Sequence, residues 1–257
     1  MSTTHVAIVS GAAFIAGRSV EGGRDLELDA SHAAIRAELA VNGLFPGDRI
    51  PRADRVTQLG AVALAPAVKD LAPIEGERIG VITASVMATA HTNERFERRR
   101  MEGKAPEPRA FPYTAPNAAG GEFSIVLRAR GPALALVGGH EVGLTALDRA
   151  SRWIARGAAH RVVVVATECP PPTPALVTPG SIDPVEGAVA VVLERVASPD
   201  ARCVTIRYRA AGEGLGVTPL LSLGPLATVW LASRGSHRAV SIAVASAAGA
   251  SIEAVVG

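Results

Sequence analysis

The 257-residue chain is 48% hydrophobic, enough to build a substantial core, which argues against extended disorder. Its 26 Lys and Arg residues are balanced by 24 Asp and Glu residues, and no helix-length stretch concentrates the positive charge, which excludes the usual signature of nucleic-acid binding. Two cysteines, Cys169 and Cys203, are too few for a disulfide framework and predict a reducing, cytoplasmic location.

Neither end of the chain has the pattern of a membrane segment. Residues 1–17 are apolar but lack the basic residues that open a signal peptide. Residues 239–257 are also apolar, but Glu253 and the small residues at 247–250 favour two short strands over a span. We therefore expect no contact with a membrane.

Short aliphatic runs alternate with helical patterns, which predicts an α/β fold with a mostly parallel sheet. The predicted strands lie at 5–10, 78–83, 133–137 (buried), 161–167, 187–196 and 204–208, with two more within 239–256. The predicted helices lie at 32–41, 52–70, 117–128, 141–156 and 219–233, and the charged segment 91–108 is expected to be a surface excursion. Since no linker divides them, we predict one domain over 1–257, with a main part at 1–200 and a smaller part at 201–257.

Familiar cofactor and metal motifs are incomplete in this sequence. Gly212–Val217 begins like a dinucleotide-binding loop, but Val217 replaces the third glycine. His140-Glu141 begins like a zinc-protease helix, but Leu144 stands where the second histidine would be. The sequence therefore predicts neither a cofactor nor a metal.

Four segments form a recognisable series along the chain. They are Arg52–Leu59, Phe111–Ile125 closed by Gly131-Pro132, Val137–Leu147, and Asp183–Glu194. The series resembles the β-ketoacyl synthases of the thiolase superfamily, and most closely their partners without a nucleophile, the chain length factors. The resemblance covers about residues 5–200 well and departs at Val185, where a glycine usually precedes the glutamate. It implies a thiolase-like layered fold whose second half is strongly reduced.

The resemblance places a histidine where an active synthase has its cysteine. Counting back from Gly143-Leu144 puts His140 at that position. Free backbone N–H groups and the dipole at a helix N-terminus stabilise a thiolate, but an imidazole there cannot readily hold an acyl chain as a thioester. The two histidines that the family takes from its second half are also missing, because His237 fits neither motif. The chain is therefore not expected to be an enzyme by itself.

The resemblance implies a subunit that pairs with a catalytic ketosynthase as a heterodimer and shapes the tunnel for a fatty-acyl or polyketide chain. The residues expected to line the tunnel are Met87, Phe111, Tyr113 and His140. Ordinary core packing is the alternative for the first three, and a buried, hydrogen-bonded ring is the alternative for His140.

A cluster of positive charge is the predicted docking site for an acidic acyl carrier protein, because complementary charge speeds encounter. Its members are Arg95, Arg98, Arg99 and Arg100. A solvated surface segment without a partner is the alternative.

Two other functions stay open at this point. One is a free-standing acyltransferase in which His140 and Glu141 act as a base pair, and the other is a structural homodimer without an acyl ligand. Cys169 is a poor candidate for a nucleophile, since it ends a buried strand and no helix follows it.

Overall fold

The computed structural model of the protein describes residues 5–15, 50, 53–105, 107–173, 186–198, 203–209, 223, 226, 234, 240–245 and 251–256. These residues build a five-stranded sheet with helices packed on both faces, and a separate three-stranded sheet. The predicted α/β class is confirmed. Three features discussed above lie outside the described residues: the predicted helix at 32–41, the loop Gly212–Val217, and His237.

The five-stranded sheet has the order β1-β5-β4-β2-β3. Its strands are β1 (His5–Ile15), β2 (Ile79–Ser85), β3 (Ala133–Val137), β4 (Arg161–Glu168) and β5 (Gly187–Val196). The β2–β4 and β2–β3 pairs are parallel, whereas β1–β5 and β4–β5 are antiparallel. The sheet is thus mixed, and the expectation of a mostly parallel sheet was wrong, because a buried aliphatic run looks the same in either direction.

Four helices pack around this sheet. They are α1 (Arg55–Val68), α2 (Ala90–Met101), α3 (Ala118–Val126) and α4 (Val142–Ala155). Helix α1 and helix α4 belong to two different core clusters, which share the strands between them: Val163 and Val165 pack in the α1 cluster, and Val162 and Val164 in the α4 cluster. Strand β4 is therefore covered on both faces, as its unbroken valine run predicts.

Three local predictions need correction. Strand β1 continues through Gly11-Ala12-Ala13 to Ile15, paired with β5, whereas the predicted strand ended at Ser10. The charged segment contains helix α2, of which only Thr92 is buried, so its surface position was predicted but its helicity was not. Strand β3 has the predicted bounds but is exposed at both ends, not buried.

The small sheet has the order β6-β8-β7 and is antiparallel throughout. Its strands are β6 (Val204–Arg209), β7 (Val240–Ala245) and β8 (Ser251–Val256), which match the three strands predicted for this part. Leu223, Leu226 and Arg234 are helical, within or next to the predicted helix at 219–233. Across the described ranges, no helix has the length and apolar character that a membrane crossing requires.

Candidate functional site

The first and the fourth of the four segments that resemble the β-ketoacyl synthases meet in one polar cluster. Asp54 is the N-cap of α1 and accepts from the Thr57 backbone N–H at 3.0 Å and from the Thr92 hydroxyl at 2.7 Å. Arg55, the next residue, donates to both carboxylate oxygens of Glu186 at 2.5 and 2.8 Å. A bidentate pair of this kind fixes the start of α1 against the start of β5.

Cys169 borders the same cluster but is not poised for attack. Its thiol is buried and donates to the Glu186 carboxylate over 3.7 Å. Burial and the negative charge of Glu186 raise the pKa of Cys169 far above its ordinary value. The thiol is therefore protonated at neutral pH, which agrees with the expectation that it is not a nucleophile.

The third segment forms the turn from β3 into α4. Glu141 is the N-cap residue of α4, and His140 precedes it in the turn, half-buried. Two buried atoms here, Nδ1 of His140 and Oε2 of Glu141, have no hydrogen-bond partner among the described residues. The two side chains also do not bond to each other, so the base pair that an acyltransferase would need is not assembled in this structure.

Because Gly139 has no side chain, the Glu141 carboxylate can pack against it in this turn. A Cβ atom at position 139 would overlap the Glu141 carboxylate, which folds back over the two glycines that follow β3. The turn that leads into α4 is thus occupied by the Glu141 carboxylate of the chain itself.

A cavity of about 30 Å³ lies between the start of α1, the second half of β2 and the segment 113–119, beside the last residues of β3. Its wall includes Tyr113, whose hydroxyl donates to Glu122 at 3.1 Å, and Val137. A water molecule needs about 10–15 Å³ in this measure, so the cavity holds about two. It is far too small for an acyl chain.

Glu168, at the end of β4, is a fully buried carboxylate that the sequence analysis did not single out. It accepts from the backbone N–H groups of Val86 at 2.8 Å and Met87 at 2.9 Å, and from the Ser85 hydroxyl at 3.1 Å. It therefore ties the turn after β2 to β4. An isolated acidic residue at the end of a valine run was the only signal available for it.

The four predicted tunnel residues are not brought together. Tyr113 lines the cavity, whereas Met87 is half-buried in the turn that Glu168 holds. Phe111 is 64% exposed and packs against Phe96, with ring centroids 6.2 Å apart. His140 lies at the start of α4 and does not border the cavity.

The predicted docking arginines lie on α2, where acidic residues neutralise most of their charge. Arg98 pairs with Glu94, Arg100 with Glu97 at 2.7 Å, and Arg99 with Glu107 at 3.9 Å. Among the described residues, Arg95 has no ion-pair partner. The helix surface is thus mixed in charge rather than strongly basic.

One edge of the large sheet is open in the part of the chain that the structure describes. Strand β3 pairs only with β2, and Val137 at its end is 54% exposed. Val137 and Tyr113 line the same cavity, so β3 and the 3₁₀ helix Phe111–Thr114 both border it. We refer to β3 together with Phe111–Thr114 as the edge surface.

Comparisons with known proteins agree with this architecture. Residues 40–177 match the model of the β-ketoacyl synthase N-terminal domain. No curated protein sequence matches the chain.

Three solved structures share the fold at low sequence identity. The ishigamide ketosynthase/chain length factor matches with 17% identity over 98% of each chain, at a TM-score of 0.67. The ketosynthase ApeO in complex with its chain length factor ApeC, from Xenorhabdus doucetiae, gives 16% identity over 98% of this chain and 99% of that one, at 0.65. AntDE:AntF, a type II PKS acyl-carrier protein in complex with its ketosynthase bound to the hexaketide, gives 14% identity over 99% of each chain, at 0.68. The predicted ketosynthase-like fold is confirmed.

Proposed function

The chain belongs to the β-ketoacyl synthase family, and from that premise we propose that it is a non-catalytic subunit, similar to a chain length factor, that pairs with a catalytic ketosynthase. The proposal is carried by His140 at the start of α4, since the sequence resemblance aligns this position with the nucleophilic cysteine of the family. In the proposed complex the partner supplies the thiol, and this chain supplies a wall of the tunnel for a fatty-acyl or polyketide chain.

The chemistry of the two cysteines supports a non-catalytic role. Cys169 is buried and its pKa is raised, so it lacks the thiolate that attack on a thioester requires. Cys203 is half-buried. Its backbone forms an isolated antiparallel β-bridge with Ala7, at the junction of β1 and the small sheet. Neither thiol lies at the amino end of a described helix. Cys169 is a free thiol, as expected of a chain in the reducing cytoplasm, the location included in the proposal.

The edge surface supports a protein partner. An unpaired strand presents a row of backbone donors and acceptors that another strand can complete, and natural proteins usually blunt such edges with charge or proline. Strand β3 has the sequence ALALV and no charged side chain, while Phe111 stands exposed nearby. Three solved structures with this fold come from ketosynthase complexes, two of them with a chain length factor. We therefore assign the edge surface to the ketosynthase.

The small size of the cavity beside β3 supports a tunnel that the partner completes at this place, rather than one that this chain forms there alone. About 30 Å³ accommodates about two water-sized groups, whereas an acyl chain of even a few carbons needs more. In the proposal, Tyr113, Phe111, Met87 and His140 contribute to the wall from this side, and the partner closes the other. The acyl carrier protein is proposed to approach α2 at Arg95, Arg98, Arg99 and Arg100.

The proposal is tested by reconstitution with a ketosynthase encoded beside this chain. Condensation of a carrier-bound extender unit is measured by mass spectrometry for each subunit alone and for the pair. We expect condensation only by the pair, unchanged in order of magnitude by His140→Ala here and abolished by Cys→Ala at the partner's nucleophile. Condensation by this chain alone, or failure of the two chains to associate, would contradict the proposal.

A further inference from the structure

A groove of about 840 Å³ lies at the opposite end of the strands from the cavity described above. It is beside the amino ends of β2 and β4, whereas that cavity and the turn into α4 lie at the carboxyl ends of β2 and β3. Its walls are residues 68–76, at and after the end of α1, and residues 124–130, at and after the end of α3. Ile79 and Val163, from the two strands, complete the lining. A volume of this size is ordinary for a site that binds a small organic molecule.

Hydrogen bonds hold the two walls of the groove together and fix them to the sheet. The Arg130 backbone N–H donates to the Gly76 carbonyl at 2.8 Å, which joins one wall to the other. The Arg161 guanidinium, at the start of β4, donates to the Ala72 carbonyl at 2.9 Å. Gly76 packs so closely that a Cβ atom there would lie 2.2 Å from the Arg128 carbonyl oxygen. Backbone contacts therefore set the shape of the groove, so the site is preformed.

The ionisable residues that line the groove are all positively charged. They are Arg128, Arg130 and Arg161. Arg130 pairs with Glu77 at 2.5 Å and Arg161 pairs with Glu194, and neither acid lines the groove. Arg128 has no ion-pair partner in the part of the chain that the structure describes. Its guanidinium is therefore available to an anion.

The backbone at Arg128 is a second, independent observation. Its φ is 52°, in the left-handed region that favours glycine. The residue closes α3: its N–H donates to the Ile125 carbonyl at 3.1 Å, and the Ala129 N–H donates to the Ser124 carbonyl at 2.8 Å. Glycine is the usual residue at such a helix end. An arginine there lowers stability, which a use of its side chain at the groove explains.

Apolar side chains supply most of the remaining lining. They are Val68, Leu71, Ile74, Ile79, Ile125, Val126, Leu127 and Val163. Ile125 is 54% exposed, so this wall presents apolar surface that a ligand can cover. We propose that the groove binds an amphiphilic anion, whose apolar body lies against this wall and whose carboxylate or phosphate is bound by Arg128. The site is separate from the edge surface and does not depend on the proposed function.

The test uses the full chain without a partner and locates binding by NMR. The isoleucine δ1 methyl groups are labelled with ¹³C, and octanoate, octyl phosphate and octyltrimethylammonium are titrated separately. We expect saturable shifts of the Ile74, Ile79 and Ile125 signals with at least one of the two anions and none with the cation. Ile8 and Ile154, which belong to the core cluster around α4, should not shift. The anion that binds more tightly identifies the head group.

Variants of Arg128 separate recognition of the head group from simple association with an apolar surface. Arg128→Gln should raise the dissociation constant of the anion about tenfold or more. Arg149→Gln removes an exposed arginine on α4, away from the groove, and should leave the constant unchanged. Arg128→Gly should weaken binding as much as Arg128→Gln without lowering the melting temperature, because glycine adopts the left-handed backbone readily. Loss of binding in that variant is then not a loss of folding.

Several results would overturn this inference. They are equal binding of the cation, unchanged affinity in Arg128→Gln, and no saturable binding of either anion. If a second copy of the chain covers the groove instead, the Ile74 and Ile125 signals will shift with protein concentration before any ligand is added, which would also overturn it. Association with the ketosynthase is measured separately by gel filtration and reports on the proposed function alone.

Discussion

Strands β3 and β4 have nearly the same kind of sequence but opposite surroundings. Strand β4 lies between β5 and β2, and all eight of its residues are buried. Strand β3, five aliphatic residues long, has a single neighbour among the described strands, and both of its end residues are exposed. The difference shows that, within the described part of the chain, the outer edge of β3 and its apolar end residues are not covered. We attribute the exposed apolar residues of β3 to a surface that a partner covers.

The largest effect is expected from a charge placed in β4. Val164 is fully buried in the cluster with α4, so Val164→Asp would bury a carboxylate without a partner. We expect a loss of about 4 kcal/mol or more in the free energy of unfolding, enough to prevent folding. Urea denaturation followed by circular dichroism measures it. A stable Val164→Asp protein would show that β4 is not the covered centre of the sheet.

The same change in β3 should affect association rather than folding. Because Val137 is 54% exposed, Val137→Asp is expected to change the free energy of unfolding by no more than about 0.5 kcal/mol. At a covered interface the same carboxylate would lose its water, so the dissociation constant of the complex with the ketosynthase should rise by about tenfold or more. Surface plasmon resonance gives the constant, and Val137→Thr serves as the milder control. Unchanged affinity would remove β3 from the interface.

The contrast between the two strands explains what the sequence predicts well and what it does not. His140 at the start of α4 was predictable, because the helical pattern from Glu141 onward and the stop at Gly157, which has φ of 75°, define that helix locally. The exposure of β3 was not predictable from the sequence, since an edge strand and a central strand can have the same residues and differ only in their neighbours. Helix α2 was missed because it is polar on nearly all sides and depends on pairs such as Arg98 with Glu94.

The residues of the candidate site also differ in how well the sequence predicts them. The segments around Asp54 and Glu186 stood out as a series, but their contact through Arg55 spans 131 positions and has no local signal. Glu168 is a single acidic residue at the end of an apolar run. Its importance comes from burial and from multiple partners, which only the packed structure defines.

Gly131, in the segment that leads into β3, offers a test with a smaller expected effect. A Cβ atom at Gly131 would lie 2.5 Å from the Ile79 carbonyl oxygen and 3.0 Å from that of Glu77, both fixed backbone atoms. Gly131→Ala is therefore expected to cost about 1–3 kcal/mol of unfolding free energy and to weaken the complex by shifting β3. Gly121→Ala, in α3 with open space around it, is the matched control and should be neutral or slightly stabilising. Equal stability of the two variants in urea would contradict this.

The smallest effect concerns the thiol that follows β4. The raised pKa of Cys169 means that the folded protein keeps the proton at a pH where the unfolded chain loses it. Its contribution to stability is therefore present below about pH 8.5, the ordinary thiol pKa, and is lost as the pH rises above it, by about 1.4 kcal/mol per unit. We expect the difference between wild type and Cys169→Ala to shrink between pH 8 and 9.5. Cys203→Ala is the control, and a constant difference for Cys169→Ala would show that its thiol ionises as readily when folded.

Hydrogen exchange tests most directly whether a ketosynthase completes the open edge of this chain. Deuterium uptake is followed by mass spectrometry for peptides covering β3 and β4, with and without the ketosynthase. We predict slower exchange at residues 133–137 on binding, while β4, already covered, stays unchanged. If the complex forms and exchange in β3 remains as fast as in the free chain, the partner binds elsewhere and the assignment of the edge surface is wrong.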